Sequence, residues 1–241
     1  MNHQNVIDMK SIRKSIFFIA GCVLLMVACE QMNDRHRKYF EDGEIIYIGK
    51  VDSMRVLPGN ERVVFRYWIS DPRAKSLTAT WSNGKEYLQV DVPPRAPTDS
   101  FDLQIGKNEK ELREGIYTFH WVVSDNKGNR SVVHEQIANV YGDRYRSLLY
   151  DWFILSAIAA DNTVTITWAE SISEQEAGVT IKYTTGDGVA KTVHYSKSAL
   201  KDATVLENVN LTIKPQYQTK FLPAPLAVDT FYTDFVDIPI Q

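Results

Sequence analysis

Beyond position 29 this 241-residue chain has no cysteine, and it holds only two in all. A disulfide framework is therefore excluded for everything past Cys29, and stability has to come from buried apolar cores. Histidine is almost as scarce, at five residues. Charge of one sign is also missing: 27 Lys and Arg stand against 30 Asp and Glu, giving a net charge of −3. A nucleic-acid partner requires a clustered basic face, which this balance does not supply. Neither a Gly-x-Ser-x-Gly nucleophile elbow nor a phosphate-cradling glycine loop occurs, and "TTGDG" at 184–188 reads as a turn. The long apolar run, Ser15 to Ala28, is too short to span a bilayer comfortably.

What precedes and follows that run gives it a meaning. Lys10, Arg13 and Lys14 form a positive region ahead of it, the layout of a secretory signal. The run ends in Met26-Val27-Ala28-Cys29, and polar residues follow at once. This ending resembles the lipobox of bacterial lipoproteins, in which the cysteine thiol takes diacylglycerol and becomes the new N-terminus. Ile19-Ala20-Gly21-Cys22 also fits the pattern, but processing there would strand an apolar Val23–Ala28 on the mature protein. Cys29 is the expected lipidated residue, with a signal peptide at 1–28 and a lipidated tether at 29–39. Arg35-His36-Arg37-Lys38 reads as a solvated part of that tether, with anionic headgroups as its alternative contact. The implied partner is the membrane, through the lipid anchor, and the implied location is the cell envelope, as an outer-membrane lipoprotein.

From Glu44 onward the apolar period is two. "RVVFRYWI", "LTATW", "YLQVDV" and "IYTFHWVVS" are short runs rich in Val, Thr and aromatics, punctuated by Pro, Gly and Asn. About 210 residues past the anchor suit two domains of roughly 100. The pattern predicts an all-β chain of two tandem immunoglobulin/fibronectin III-like β-sandwiches, at 40–142 and 143–241. Ser82-Asn83-Gly84-Lys85 predicts a tight hairpin turn. Leu112 to Phe119 resembles the L-x-x-G-x-Y-x-F corner of fibronectin type III domains, in which the tyrosine hydroxyl, here Tyr117, bonds back to the chain upstream. Trp81 is then the core tryptophan of the third strand, and Trp121 points inward beside Phe119 and Val123. "TVTITWAES…GVTIKYTTGDGVAKTVHY" repeats the plan, with Trp168 in the core, but its later end lacks the tyrosine-corner spacing. "YGDRYRSLL" (141–149) is the expected boundary.

Together, "PGNERV", "WSNGK", "LREGIYTFHWVVSDNKGNRS" and "VYGD" resemble a Bacteroidota lipoprotein family catalogued as domain of unknown function 4998. The resemblance runs from about Tyr39 to Tyr145, and more loosely through "FLPAPLAVDTFYTDF". It implies an exported, lipid-anchored β-sandwich protein of the kind found among glycan-use and cell-surface systems. It assigns no chemistry and so transfers no catalytic residue. Asp52-Ser53-Met54 also resembles the three-residue O-glycosylation site of secreted Bacteroidota proteins, which makes Ser53 a candidate acceptor.

Catalytic constellations are not evident. His120, His134 and Glu135 fall on neighbouring strands, but a zinc site needs three or four ligands. The loop around Asp125 lacks the terminal bidentate Glu of a calcium loop. Glu41, Asp42 and Glu44 form an acidic cluster, but no feature of the sequence sets them across a cleft as glycosidase carboxylates require. No metal, no cofactor and no enzymatic activity are expected. Five Trp, twelve Tyr and ten Phe leave aromatic contacts as the route to binding. Trp68 shares a strand face with Arg66, so the two form the candidate binding pair, unless Trp68 packs at a seam between domains. The expected role is non-catalytic binding of a glycan or an envelope protein. The alternatives are a structural or assembly subunit of an outer-membrane complex and, behind it, an enzyme accessory module.

Overall fold

Alternation in the first half becomes seven strands: β1 (Ser53–Pro58), β2 (Arg62–Trp68), β3 (Ser76–Trp81), β4 (Glu86–Asp91), β5 (Phe101–Gly106), β6 (Gly115–Ser124) and β7 (His134–Val140). The computed structural model describes residues 46–108 and 110–241. The signal peptide, Cys22, Cys29, the tether and Glu41, Asp42 and Glu44 lie outside the described residues. The strands form two antiparallel sheets, β1-β2-β5 and β4-β3-β6-β7. Val63, Phe65 and Tyr67 on β2 are buried, as are Leu77, Ala79 and Trp81 on β3 and Phe119, Trp121 and Val123 on β6. Period-two placement thus puts each apolar set on the inner face. Phe65 meets Phe119 and Trp121 edge-to-face at 4.8 and 4.7 Å, and such pairs add about 0.5–1.5 kcal/mol beyond area burial.

The β3–β4 hairpin closes at the Trp81–Glu86 pair. Its loop is four residues long, with Ser82, Asn83 and Gly84 all left-handed at φ 53°, 57° and 77°. Gly and Asn bear such a backbone most easily, which explains the Asn-Gly signal.

The second sandwich packs a sheet of three strands on one of five. Its strands are β8 (Ile154–Ala160), β9 (Thr163–Trp168), β10 (Glu176–Thr184), β11 (Ala190–Ser196), β12 (Thr204–Leu206), β13 (Gln216–Phe221), β14 (Phe231–Tyr232) and β15 (Val236–Asp237). One sheet is β12-β9-β8; the other is β11-β10-β13, with β14 and β15 both paired to β13. Val164, Ile166, Val179, Ile181 and Leu206 are buried in its core. The Trp168 indole N–H donates to Thr204 Oγ1 at 2.9 Å. In place of a tyrosine corner, the Tyr217 hydroxyl donates to the Trp152 carbonyl at 2.9 Å and pins the chain entering β8. Burial, assisted by Asp151, pushes the Tyr217 pKa up to about 12.

A short helix, α1 (Asp143–Ser147), joins the two sandwiches. Both lie in one compact unit, Ile48–Gln241.

Candidate functional site

The residues expected to act from sequence are spread along the first sandwich. Trp68 ends β2 and is half-buried, opposite Ser53 in register. The seam alternative for Trp68 is corrected here. β2 spans seven residues, about 20 Å, and its other end, Arg62, is the one that touches the second sandwich. Arg66 lies on the same face of β2 as Trp68. Arg66 is taken by Asp102, with Nε and Nη2 at 2.7 and 2.8 Å from the carboxylate, and it is Arg55 that lies over the Trp68 ring at 5.6 Å. Cross-strand register explains this, since Arg55 and Trp68 sit diagonally across β1 and β2. Ser53 is exposed at the start of β1.

Tyr117 is half-buried, and its hydroxyl donates to the Arg113 carbonyl at 3.0 Å. Trp81 and Trp121 are fully buried, Trp168 nearly so. His120 pairs with Glu135 and His134 with Trp121 in register, so the two histidines face opposite sides of their sheet. His120 Nε2 lies 3.3 Å from Glu135 Oε1. Burial, and after it Lys50, holds the His134 pKa below the ordinary histidine value. Asp125 accepts from the N–H groups of Lys127 and Asn129 and from the Asn129 amide, which fixes its hairpin turn. Among the described residues no three His, Cys, Asp or Glu side chains could hold a metal ion together.

The side chains that do converge lie where the sandwiches meet. The stretch after β13 leaves its sheet and crosses to the first sandwich. There the Val228 N–H donates to the Pro58 carbonyl at 2.8 Å. Asp229 accepts from Arg62 Nε and Nη2 at 2.8 and 2.6 Å and from the Asn60 N–H at 2.8 Å. The Arg62 hydrogen bond is the main cause holding the Asp229 carboxyl below its usual range, although burial works against it. Gly59 leaves room for this contact: a Cβ there would come within 2.5 Å of Asp229 Oδ2.

α1 is held from both sides. Glu114 of the first sandwich accepts from the N–H groups of Arg144 and Tyr145 at 2.7 and 2.9 Å. Carboxylates are favoured beside unpaired N–H groups at a helix start. The Tyr141, Tyr145 and Phe231 rings stack edge-to-face, and burial, with Tyr141 and Tyr150 nearby, pushes Tyr145 up to about 12. Side chains from both sandwiches thus converge on 141–149, the expected boundary.

Two open hollows of about 450 and 460 Å³ flank the Arg146–Asp234 ion pair, which measures 2.9 Å. Tyr232, Thr233, Arg146 and Asp234 line both, Phe235 the first, and Asp143 and Asp151 the second. Asp151 Oδ1 is buried with no hydrogen-bond partner among the described residues, an acceptor that costs free energy unless something donates to it. Sequence reasoning missed this cleft because its parts come from α1 and from "VDTFYTDF", which lie far apart in the chain. The density of Asp, Thr and aromatic residues in that segment was the available signal.

Residues 29–231 match the family DUF4998, described as a domain of unknown function. No curated protein matches the chain. Among solved structures it is similar to the FN1–FN3 domains of chicken CNTN1, at 12% identity and a TM-score of 0.41, over 81% of this chain and 66% of that one. It is similar to a two-domain fibronectin type III segment of chicken tenascin, at 13% identity and a TM-score of 0.30, over 79% of this chain and 100% of that one. A third is a structure of a 1.5-MDa bacterial ice-binding adhesin, solved for insight into its host cell surface retention. It matches at 11% identity and a TM-score of 0.37, over 82% of this chain and 66% of that one. The chain thus spans just under two thirds of the CNTN1 and adhesin chains.

Proposed function

The chain belongs to the DUF4998 family, and from that membership and the cleft at its seam we propose a lipid-anchored, non-catalytic glycan-binding protein of the cell envelope. The observation that carries the reading is the pair of hollows around Arg146 and Asp234, with Tyr232 between them. Their size falls within the range of small-ligand sites. A guanidinium beside a carboxylate offers donors and acceptors in the geometry that vicinal sugar hydroxyls require, and aromatic rings pack against the apolar face of a sugar.

The anchor part of the proposal rests on the Met26-Val27-Ala28-Cys29 ending of the apolar run. The chain enters the first sandwich at Ile48, whose N–H donates to the Arg130 carbonyl at 3.4 Å, at the end opposite the seam. An acyl chain on Cys29 would tie the protein to an outer membrane through the stretch that precedes Ile48.

The test is a glycan array probed with the full chain in detergent, compared with Asp234→Ala. The Arg146 and Asp234 side chains are 55% and 91% exposed, so the substitution should cost about 0–1 kcal/mol of stability. The expected result is retention of a defined glycan class by the native chain and at least tenfold weaker retention by the variant. Retention equal in both, or none in either, overturns the proposal.

A further inference from the structure

A further hollow, sharing no lining residue with the cleft, lies in the second sandwich beside the end of β9. It measures about 430 Å³ and is bounded on one side by a 3₁₀ turn over Lys197–Lys201. Trp152, Trp168 and Leu200, all nearly fully buried, form its apolar wall. Both indole N–H groups are already used inside the fold. Trp152 Nε1 donates to the Ala169 carbonyl and Trp168 Nε1 to Thr204 Oγ1, each at 2.9 Å. The two tryptophans therefore offer the hollow ring surface alone, which favours an apolar body against them.

The polar side of the hollow rests on a loop held in one shape. Glu176, only 3% exposed, accepts from the Ile172 and Ser173 N–H groups at 3.1 and 3.4 Å and lies 2.5 Å from Ser171 Oγ. A buried carboxylate met by several donors makes strong, shape-fixing hydrogen bonds. Lys197 Nζ donates to the Ser173 carbonyl of the same loop at 2.7 Å, which sets its ammonium at the rim. An ammonium has three donors, and among the described residues the other two have no partner.

Charge selects the occupant. Lys197, Lys201 and Glu170 all line the hollow, and among the described residues none of the three has an ion-pair partner. Two ammoniums in one hollow repel each other unless an anion stands between them. With a single carboxylate beside them, the lining carries one excess positive charge, which a monoanion neutralises. A neutral sugar leaves that charge uncompensated, so this hollow and the cleft differ in ligand. The volume lies within the range of small-molecule sites. We propose that this hollow binds a small organic monoanion, its carboxylate between Lys197 and Lys201 and its aryl or alkyl body against Trp152, Trp168 and Leu200.

The experiment titrates benzoate, 1-naphthoate and octanoate by calorimetry into the full chain in detergent, each beside its uncharged amide and against a protein-free micelle blank. At least one acid should bind saturably, and its amide at least tenfold more weakly. Lys201→Gln, at an exposed position, should weaken the acid at least tenfold and leave the amide unchanged, a split that general damage to the fold does not produce. Lys197→Gln should act in the same direction; where it also loosens the Ser173 loop and lowers the melting temperature, Lys201→Gln decides. Lys85→Gln, in the β3–β4 hairpin of the other sandwich, removes the same charge and should leave binding unchanged. Saturable binding of none of the acids, an acid held no tighter than its amide, or an acid undiminished in Lys201→Gln overturns the proposal. Equal weakening in Lys85→Gln also overturns it, by assigning the effect to net charge.

Discussion

The Arg62 guanidinium grips the Asp229 carboxylate with two hydrogen bonds across 167 residues of chain, joining the start of β2 to the segment that leaves the second sandwich. The side chains are only 26% and 19% exposed, so water screens the pair incompletely. Asp229→Ala should therefore cost about 1–3 kcal/mol by chemical denaturation, more than a surface pair would. Gly59→Ala should open the same contact by steric pressure, and a double variant should lose less than the sum.

The same contact sets an acid response. Asp229 has a depressed pKa in the folded chain, so its contribution is fully present above the unfolded carboxylate value, near 4, and is lost as pH falls through the folded value. Small-angle scattering between pH 7 and pH 3 should show the two sandwiches loosening in that acid range. In Asp229→Asn this acid-linked change should vanish.

His134 supplies a separate and milder dependence. Its folded pKa is depressed, by burial first, so its stabilising effect is present above the unfolded histidine value, near 6.5, and is lost as pH falls through the folded value. Midpoints of urea unfolding should drop on acidification below about pH 6.5, and His134→Gln should flatten that slope.

Tyr117→Phe removes the hydroxyl that reaches Arg113 and should cost about 1 kcal/mol, read as a shift in the urea midpoint at unchanged slope. A neutral result would leave the bond as geometry without energetic weight.

Trp68→Ala should be milder than a core truncation, which costs about 3–5 kcal/mol, because the ring is half-buried beneath Arg55 and away from the seam. A cost in that core range would show that the ring packs as a core residue does.

The two sandwiches were legible because alternation registers burial directly: every second residue of "VVFRYWI" and "TVTITW" is apolar and faces inward. Tyr117 could be read because its partner lies only four residues upstream. The crossing segment could not be read in this way. Its contacts to Arg62 and Asn60 join distant stretches of chain, and "LPAPLAVD" has no period, since its residues bond one at a time to an edge. The split of the last strand into β14 and β15 was hidden for a related reason: each piece is two residues long, too short to show alternation. Arg66 and Trp68 were read as a pair from strand parity alone, which does not reveal that Asp102 and Arg55 are the nearer cross-strand partners.

The entry of the chain at Ile48, at the opposite end of the first sandwich from Arg146 and Asp234, sets how the molecule would bear tension. A ligand held in the cleft and pulled against the entry point loads β1 from its Ser53 end and β7 from its Val140 end, in opposite directions along two strands that run the same way. Such a pull shears the register pairs from Ser53–Trp68 to Pro58–Val63 together, and does not peel them apart one by one. Tension between those two points is therefore shared by all six β1–β2 pairs at once.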